Sequence, residues 1–426
     1  LSKVFISFLG TSKYKPVTYY FKEQKFRDVV YVQEAIFRLF CSDFTEEDRV
    51  LIFLTGAARK SNWESNGDTK KGLKETLEGI KRELNIGFQI VTGDIPEGRT
   101  EKEIWEIFRV VFEALNNNDE LILDVTHGFR SIPMLGLVLL NYARFLKNIS
   151  VKGIFYGAYE ARNENNEAPI FDITSFDRLL RWSNAADSFL NYGITGPMES
   201  LVKERAAILR EKTENFERAK KLEQFDRILG EIAKNFFTVR GREILSGRKF
   251  EIEKQNIDAI ADEFIEPPFG TIKNKIQEKL RPFENKNSIK NCLAAVKWYI
   301  RHGLIQQGIT LTQELIVTFI LQYLDFPWDV LANRELVTMC ITVYSRNIPE
   351  AKWDDKVLQE RKKALKILSC EPMEKLGGLF EALREYRNDI NHGGFLENAR
   401  TARKFKAKLE AVYPEVERVI SNYLLK

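Results

Sequence analysis

The chain has 426 residues, 44% of them hydrophobic and 30% charged, with a net charge of +4. It is long for one core and too apolar for a disordered chain, so at least two domains are expected. The weak positive balance permits an RNA partner without requiring one.

In chain order, short apolar and β-branched runs at 4–9, 50–54, 88–91, 121–125, 151–156 and 170–173 read as strands. Helix-patterned stretches at 26–40, 72–84, 101–116 and 132–146 lie between them. In the third of these, Ile104, Phe108, Val111, Phe112 and Leu115 follow the spacing of one amphipathic face. The alternation predicts a mostly parallel sheet with helices on both faces, a Rossmann-like α/β domain over 1–178. Past residue 175 the strand signal fades. Helices are predicted at 177–191 and 198–237, then a basic stretch at 240–249 and a boundary at Pro267 and Pro268. Further helices follow at 289–307, 311–323, 335–344, 355–368, 376–391 and 398–425. The expected organisation is therefore α/β plus all-α: a sheet domain at 1–178, a mainly helical connector at 179–284 and a helical domain at 285–426.

Cys41, Cys292, Cys340 and Cys370 are far apart and form no C-x-x-C pair, which fits reduced thiols better than disulfides or structural zinc. Histidine occurs only at 127, 302 and 392, too few for a histidine-based metal cluster, so no metal cofactor is expected. The opening L-S-K-V-F-I-S-F-L-G lacks the longer apolar core of a signal peptide. No run approaches the roughly 18 apolar residues of a membrane span. A cytoplasmic protein without membrane contact is expected.

Two loops follow predicted strands, where open α/β sheets bind ligands. The first carries Gly10, Thr11 and Ser12, then Lys13 and Tyr14. The second, in L-D-V-T-H-G-F-R-S-I-P, carries Thr126, His127, Gly128, Phe129, Arg130 and Ser131 ahead of a predicted helix start. Glycine allows close approach, hydroxyls and basic groups suit phosphate oxygens, and N–H groups at a helix start form an anion site. Neither loop is a P-loop or a full G-x-G-x-x-G, which disfavours ATP hydrolysis and NAD binding. Tight turns built of small residues would account for the glycines equally well.

Near the end lies L-R-E-Y-R-N-D-I-N-H-G-G, residues 383–394. Metal-free RNA cleavage needs a group that moves protons at the ribose 2′-OH and a cation that steadies charge on the phosphate. His392 suits the first task and Arg387 the second. Positions i and i+5 on a regular helix point roughly 140° apart, so one straight helix does not aim both at one phosphate. Gly393 and Gly394 are expected to end the helix, and two copies facing across a symmetry axis are a second solution. Residue types alone leave open a plainer reading, a salt-bridged arginine and a histidine at a helix end. His302 is read as structural, and the basic stretch 240–249 as solvated surface, with RNA guidance as the alternative.

R-N-D-I-N-H resembles the R-x(4-6)-H signature of HEPN ribonucleases, and the helix reading A-V-K-W-Y-I-R-H-G-L-I-Q-Q-G-I-T-L-T-Q-E is similar to theirs. D-V-T-H-G-F-R-S-I-P and F-L-G-T-S-K-Y resemble motifs of CARF domains, the CRISPR-associated Rossmann folds. In this order the motifs resemble the type III CRISPR accessory ribonucleases. The resemblance implies a homodimer switched on by cyclic oligoadenylate, with cyclic tetra-adenylate favoured and cyclic hexa-adenylate the alternative. It implies catalytic Arg387, Asn388 and His392, single-stranded RNA as substrate, no DNA partner, and a ligand pocket lined by the two loops. Thr11 or Ser12 orienting a 2′-OH would let the sensor slowly cut its own activator. The rival reading is a non-catalytic ligand sensor whose helical half binds a partner.

Overall fold

A computed structural model describes residues 2–65, 71–127, 132–211, 215–260, 269–395, 397 and 399–424. The chain divides into two compact units, Leu1–Arg178 and Leu179–Lys426.

The first unit runs β1 (Lys3–Leu9), β2 (Val17–Phe21), β3 (Gln24–Val29), α1 (Val32–Phe40), β4 (Arg49–Leu54), α2 (Gly56–Ala58), α3 (Leu73–Leu84) and β5 (Gln89–Asp94). It continues through α4 (Glu101–Glu113), β6 (Glu120–Asp124), α5 (Ile132–Lys147), β7 (Ser150–Gly157) and β8 (Glu167–Asp172). The strands form one sheet in the order β3-β2-β8-β7-β6-β1-β4-β5. β7, β6, β1, β4 and β5 are parallel, while the β2–β3 and β7–β8 pairs are antiparallel.

Alternation along β1 explains the layers, because successive side chains point to opposite faces. Val4, Ile6 and Phe8 join Ile107, Val111 and Leu139 of α4 and α5 in one core. Phe5 and Leu9 join Ile36 and Leu77 of α1 and α3 in the other. The sequence pattern is corrected at one place: 26–40 is not a single helix but β3 followed by α1, with β2 and β3 forming a hairpin. β3 reads QKFRDV and is mostly exposed, so it offers little of the apolar signal that marks the inner strands.

The second unit begins within α6 (Thr174–Tyr192) and continues through α7 (Gly196–Arg210), α8 (Phe216–Phe237), α9 (Gly241–Ser246), α10 (Arg248–Ala259) and α11 (Phe269–Leu280). Then come α12 (Ile289–Arg301), α13 (Ile305–Tyr323), α14 (Leu331–Ser345), α15 (Asp355–Gln359), α16 (Arg361–Leu368), α17 (Glu371–Asn391) and α18 (Ala402–Leu424). Helices on both sides of residue 284 share one apolar core, which includes Phe225, Phe236, Tyr299, Ile316, Leu376 and Val416. The stretch predicted as one helix over 198–237 contains α7 and α8 instead. The helix predicted to reach 307 stops at Arg301, where Gly303 turns the chain at φ 68°. All four cysteines are free and buried. Among the described residues no helix is long and apolar enough to cross a membrane.

Candidate functional site

β1 stands between β6 and β4 in the parallel part of the sheet. Chain order therefore proceeds outward on one side through β4 and β5, then reverses through β6 and β7 on the other. That reversal opens a crevice at the carboxyl ends of β1 and β6, the place where open α/β sheets bind ligands. The two loops singled out in the sequence leave these two strands.

The second loop is shaped by Asp124, the last residue of β6, which is fully buried. One of its carboxylate oxygens accepts the Ser7 hydroxyl at 2.7 Å and the other accepts the Thr126 N–H at 2.9 Å. Burial pushes this carboxyl above its ordinary range, outweighing those bonds. Thr126 in turn accepts the Gly157 N–H at 2.8 Å, tying the turn to β7. The first loop is held by Asn62, whose amide donates to the carbonyls of Gly10 at 2.8 Å and Ser12 at 3.0 Å. Gly10 donates its N–H to the Tyr14 hydroxyl at 3.0 Å. A Cβ at Gly10 would stand 2.9 Å from that oxygen, so a larger residue there would push the Tyr14 ring out of this closure.

A cavity of about 340 Å³ lies between the loops and brings together Ser12, Thr126 and His127. Lys13 and Lys15 add positive charge, and Tyr14, Tyr19, Tyr156 and Tyr159 add aromatic lining. The Tyr14 and His127 rings are 4.4 Å apart. His127 Nε2 is buried without a hydrogen-bond partner among the described residues. Burial lowers the imidazole pKa to about 4, so the ring is neutral at pH 7. Gly10 and Thr11 belong to the first loop without lining the cavity. Gly128, Phe129, Arg130 and Ser131 lie outside the described residues.

In the second unit, α17 ends at Asn391 with His392 as its cap, followed by Gly393 at φ 62° and Gly394 at φ 73°. The glycines do end the helix, as left-handed residues commonly do. His392 and Asn388 are exposed, and the Asn388 carbonyl accepts the His392 N–H at 3.0 Å. Asp389 is buried and ties the returning chain to the helix by accepting the Arg400 N–H at 2.8 Å.

Arg387 turns toward α13. Its Nη1 donates to Glu314 Oε1 at 3.1 Å and lies 3.4 Å from Gln313 Oε1. The Nε–Nη2 edge of the guanidinium has no partner among the described residues, leaving a donor pair of the kind that fits two phosphate oxygens. The other oxygen of Glu314 holds Arg334 Nη2 at 2.6 Å. No hydrogen bond joins Arg387 to His392 among the described residues. His302 lies apart from both, its ring 4.5 Å from that of Trp298 and close to two backbone carbonyls.

With both arrangements in place, the comparison with known families decides the first. Residues 4–160 match the CARF domain of the CRISPR system endoribonuclease Csx1. The N-terminal unit contains a Csx1-type CARF domain. CRISPR-associated protein MJ1674 of Methanocaldococcus jannaschii is 25% identical over 289 residues, 66% of this chain. The match spans 42% of that relative's length. Csm6 of Enterococcus italicus, solved bound to cyclic hexa-2'-fluoro-hexa-dAMP, is similar over 99% of this chain and 94% of its own, with 14% identity and a TM-score of 0.45.

For the CARF domain, sequence reasoning found the two loops and missed Tyr19, Tyr156, Tyr159 and Asn62, which reach the loops from other elements. None of these carried a signal in the sequence; Asn62 is a buried polar residue, 1% exposed, in a stretch whose other residues are mostly exposed or half-buried. Glu314 and Gln313 were missed as partners of Arg387, since 73 residues separate Glu314 from it.

Proposed function

We propose that this chain is a cyclic-oligoadenylate-activated endoribonuclease of type III CRISPR defence that cuts single-stranded RNA without metal. The observation that carries this reading is one chain holding both a Csx1-type CARF domain and a helix end that carries Arg387, with a donor edge unpaired among the described residues, and the exposed His392 five residues on. Cyclic tetra-adenylate is the proposed activator and cyclic hexa-adenylate the alternative. The Ser12–Thr126–His127 cavity, with its lysines and tyrosines, suits the phosphates and adenines of such a ring. At about 340 Å³ it is too small for several nucleotides, which supports a site completed by a second copy.

The second copy also has a surface to meet. Val138, Tyr142, Phe145 and Leu146 form an exposed apolar stripe on α5, the helix that follows the second loop, with Phe145 85% exposed. Trp105 of α4, 63% exposed, extends the patch. We take this face as the homodimer contact in a cytoplasmic protein.

In the reaction, the ribose 2′-oxygen attacks the neighbouring phosphorus, and the bond from phosphorus to the 5′-oxygen breaks. His392 serves proton transfer at the 2′-OH or orients it, Arg387 steadies the charge on the pentacoordinate phosphate, and Asn388 supports them. A proton reaches the departing 5′-oxygen. Products carry 2′,3′-cyclic phosphate and 5′-OH ends, and DNA is no substrate because it lacks the attacking hydroxyl. The same chemistry at Thr11 or Ser12 would let the sensor slowly open its own activator, which intact ligand after long incubation would refute.

The test is an RNA with a single 2′-deoxy residue at a mapped cut site. Loss of that cut alone, with cyclic phosphate on the remaining products, is expected. Cutting at the deoxy position, or 3′-OH ends, would overturn the mechanism. A protein that binds the ring yet never cuts would favour the non-catalytic sensor.

A further inference from the structure

A second cavity, of about 570 Å³, borders the proposed nuclease site. It is lined by α9 and the residues leading into it, one side of α13, the residues before α14 and its start, and Cys292 of α12. Leu311 and Leu315, both almost fully buried, and Trp328 give it an apolar and aromatic lining. Arg240 and Arg242 are exposed beside them. Arg240 donates to the nearby Thr238 carbonyl at 2.8 and 3.0 Å, and Arg242 stands a loose 3.9 Å from Asp329. Such exposed contacts contribute little and yield readily to a phosphate.

Glu314 lines this cavity and also holds Arg387, so one side chain separates the groove from the proposed catalytic arginine. Arg334 fixes the wall between them, donating to Glu314 at 2.6 Å, the Trp328 carbonyl at 2.8 Å and the Thr318 hydroxyl at 3.0 Å. An aromatic and apolar slot, carboxylate acceptors and a cationic rim together match the base, the exocyclic amino group and the phosphate of a nucleotide. We infer that this groove is the base-binding subsite for the nucleotide next to the one that is cut. This rests on the ribonuclease reading above, and it gives the basic stretch 240–249 a role in guiding RNA.

Gly241 offers a way to close the groove. Its φ is not positive, and a Cβ there would meet only Leu311 Cδ1 at 3.7 Å. Gly241→Trp therefore fills the space, and Arg240→Ala/Arg242→Ala removes the rim without touching the core. Two readouts are needed: anisotropy binding of a 2′-O-methyl RNA, which cannot be cut, and cut-site mapping on a mixed-sequence RNA with activator. We expect Gly241→Trp to weaken binding about tenfold, the loss of one base-stacking contact, and to erase the base preference beside the cut. The double arginine variant should flatten the slope of log K against log salt by about 1.4, roughly 0.7 per lost phosphate contact. Unaltered binding and cutting in both variants would overturn the proposal, as would no binding by the unmodified chain. Binding that depends on Gly241 without any cutting would keep the groove and remove the ribonuclease reading. Cutting with an unchanged pattern in both variants would do the reverse.

Discussion

Burial leaves the His127 imidazole neutral, with a pKa lowered to about 4 from its ordinary value of 6.5. An anionic ligand against this ring would raise that value again, so binding should take up a proton. We expect affinity for cyclic oligoadenylate to rise as pH falls from about 6.5 toward 4, by at most about tenfold per unit. Folding stability runs the same window with the opposite sign: the unfolded chain binds the proton first, so the free sensor loses stability over those pH values. Calorimetry at pH 7 and 5 checks the first statement, and a flat profile, equal to that of His127→Asn, would refute it. Ser7 supports the same loop through Asp124. Ser7→Ala removes a donor from a buried carboxylate and should cost about 1–3 kcal/mol in thermal melting, with weaker ligand binding. At the other end of the chain, Arg387→Ala should lower cleavage about 10²–10³-fold while leaving RNA binding measurable.

Among the elements, the ones that were legible in the sequence are those whose burial is two-sided. β1, β4 and β6 are apolar on both faces, so their runs stand out, and the loops after β1 and β6 could be placed at strand ends. β3 was not legible because this edge strand keeps exposed charges, and Phe26, Val29 and Val30 merge with the helical pattern of α1; β2 is only five residues long and pairs with it. The end of α17 was readable from Gly393 and Gly394, whereas the direction of Arg387 was not, since α13 decides it through Glu314. Gly247 shows what the pattern hides. It joins α9 to α10 at φ 70°, and a Cβ would lie 1.6 Å from the Glu284 carbonyl oxygen. Gly247→Ala should destabilise the helical unit by at least about 1–3 kcal/mol from backbone strain alone. The melting temperature should fall by about 2–4 °C for each of these kcal/mol. An unchanged melting temperature would mean that the α9–α10 junction relaxes freely.

At the scale of the whole molecule, the proposed switch needs two copies, because the ring can bias the enzyme only by binding one dimer form more tightly than another. Phe145→Glu places a charge on the exposed α5 stripe without disturbing the core. It should shift the protein to a monomer in sedimentation and remove activation by the ring. A dimer that persists and responds would place the contact elsewhere. The central claim is that the two units act as sensor and nuclease of one metal-free enzyme, and its most direct test is a single cleavage assay. Purified protein is incubated with fluorescent single-stranded RNA in EDTA, alone and with cyclic tetra- or hexa-adenylate, beside an Arg387→Ala/His392→Ala variant. Cutting that requires one ring, survives EDTA and disappears in the variant is expected. Cutting that ignores both rings, stops in EDTA or persists in the variant would contradict it.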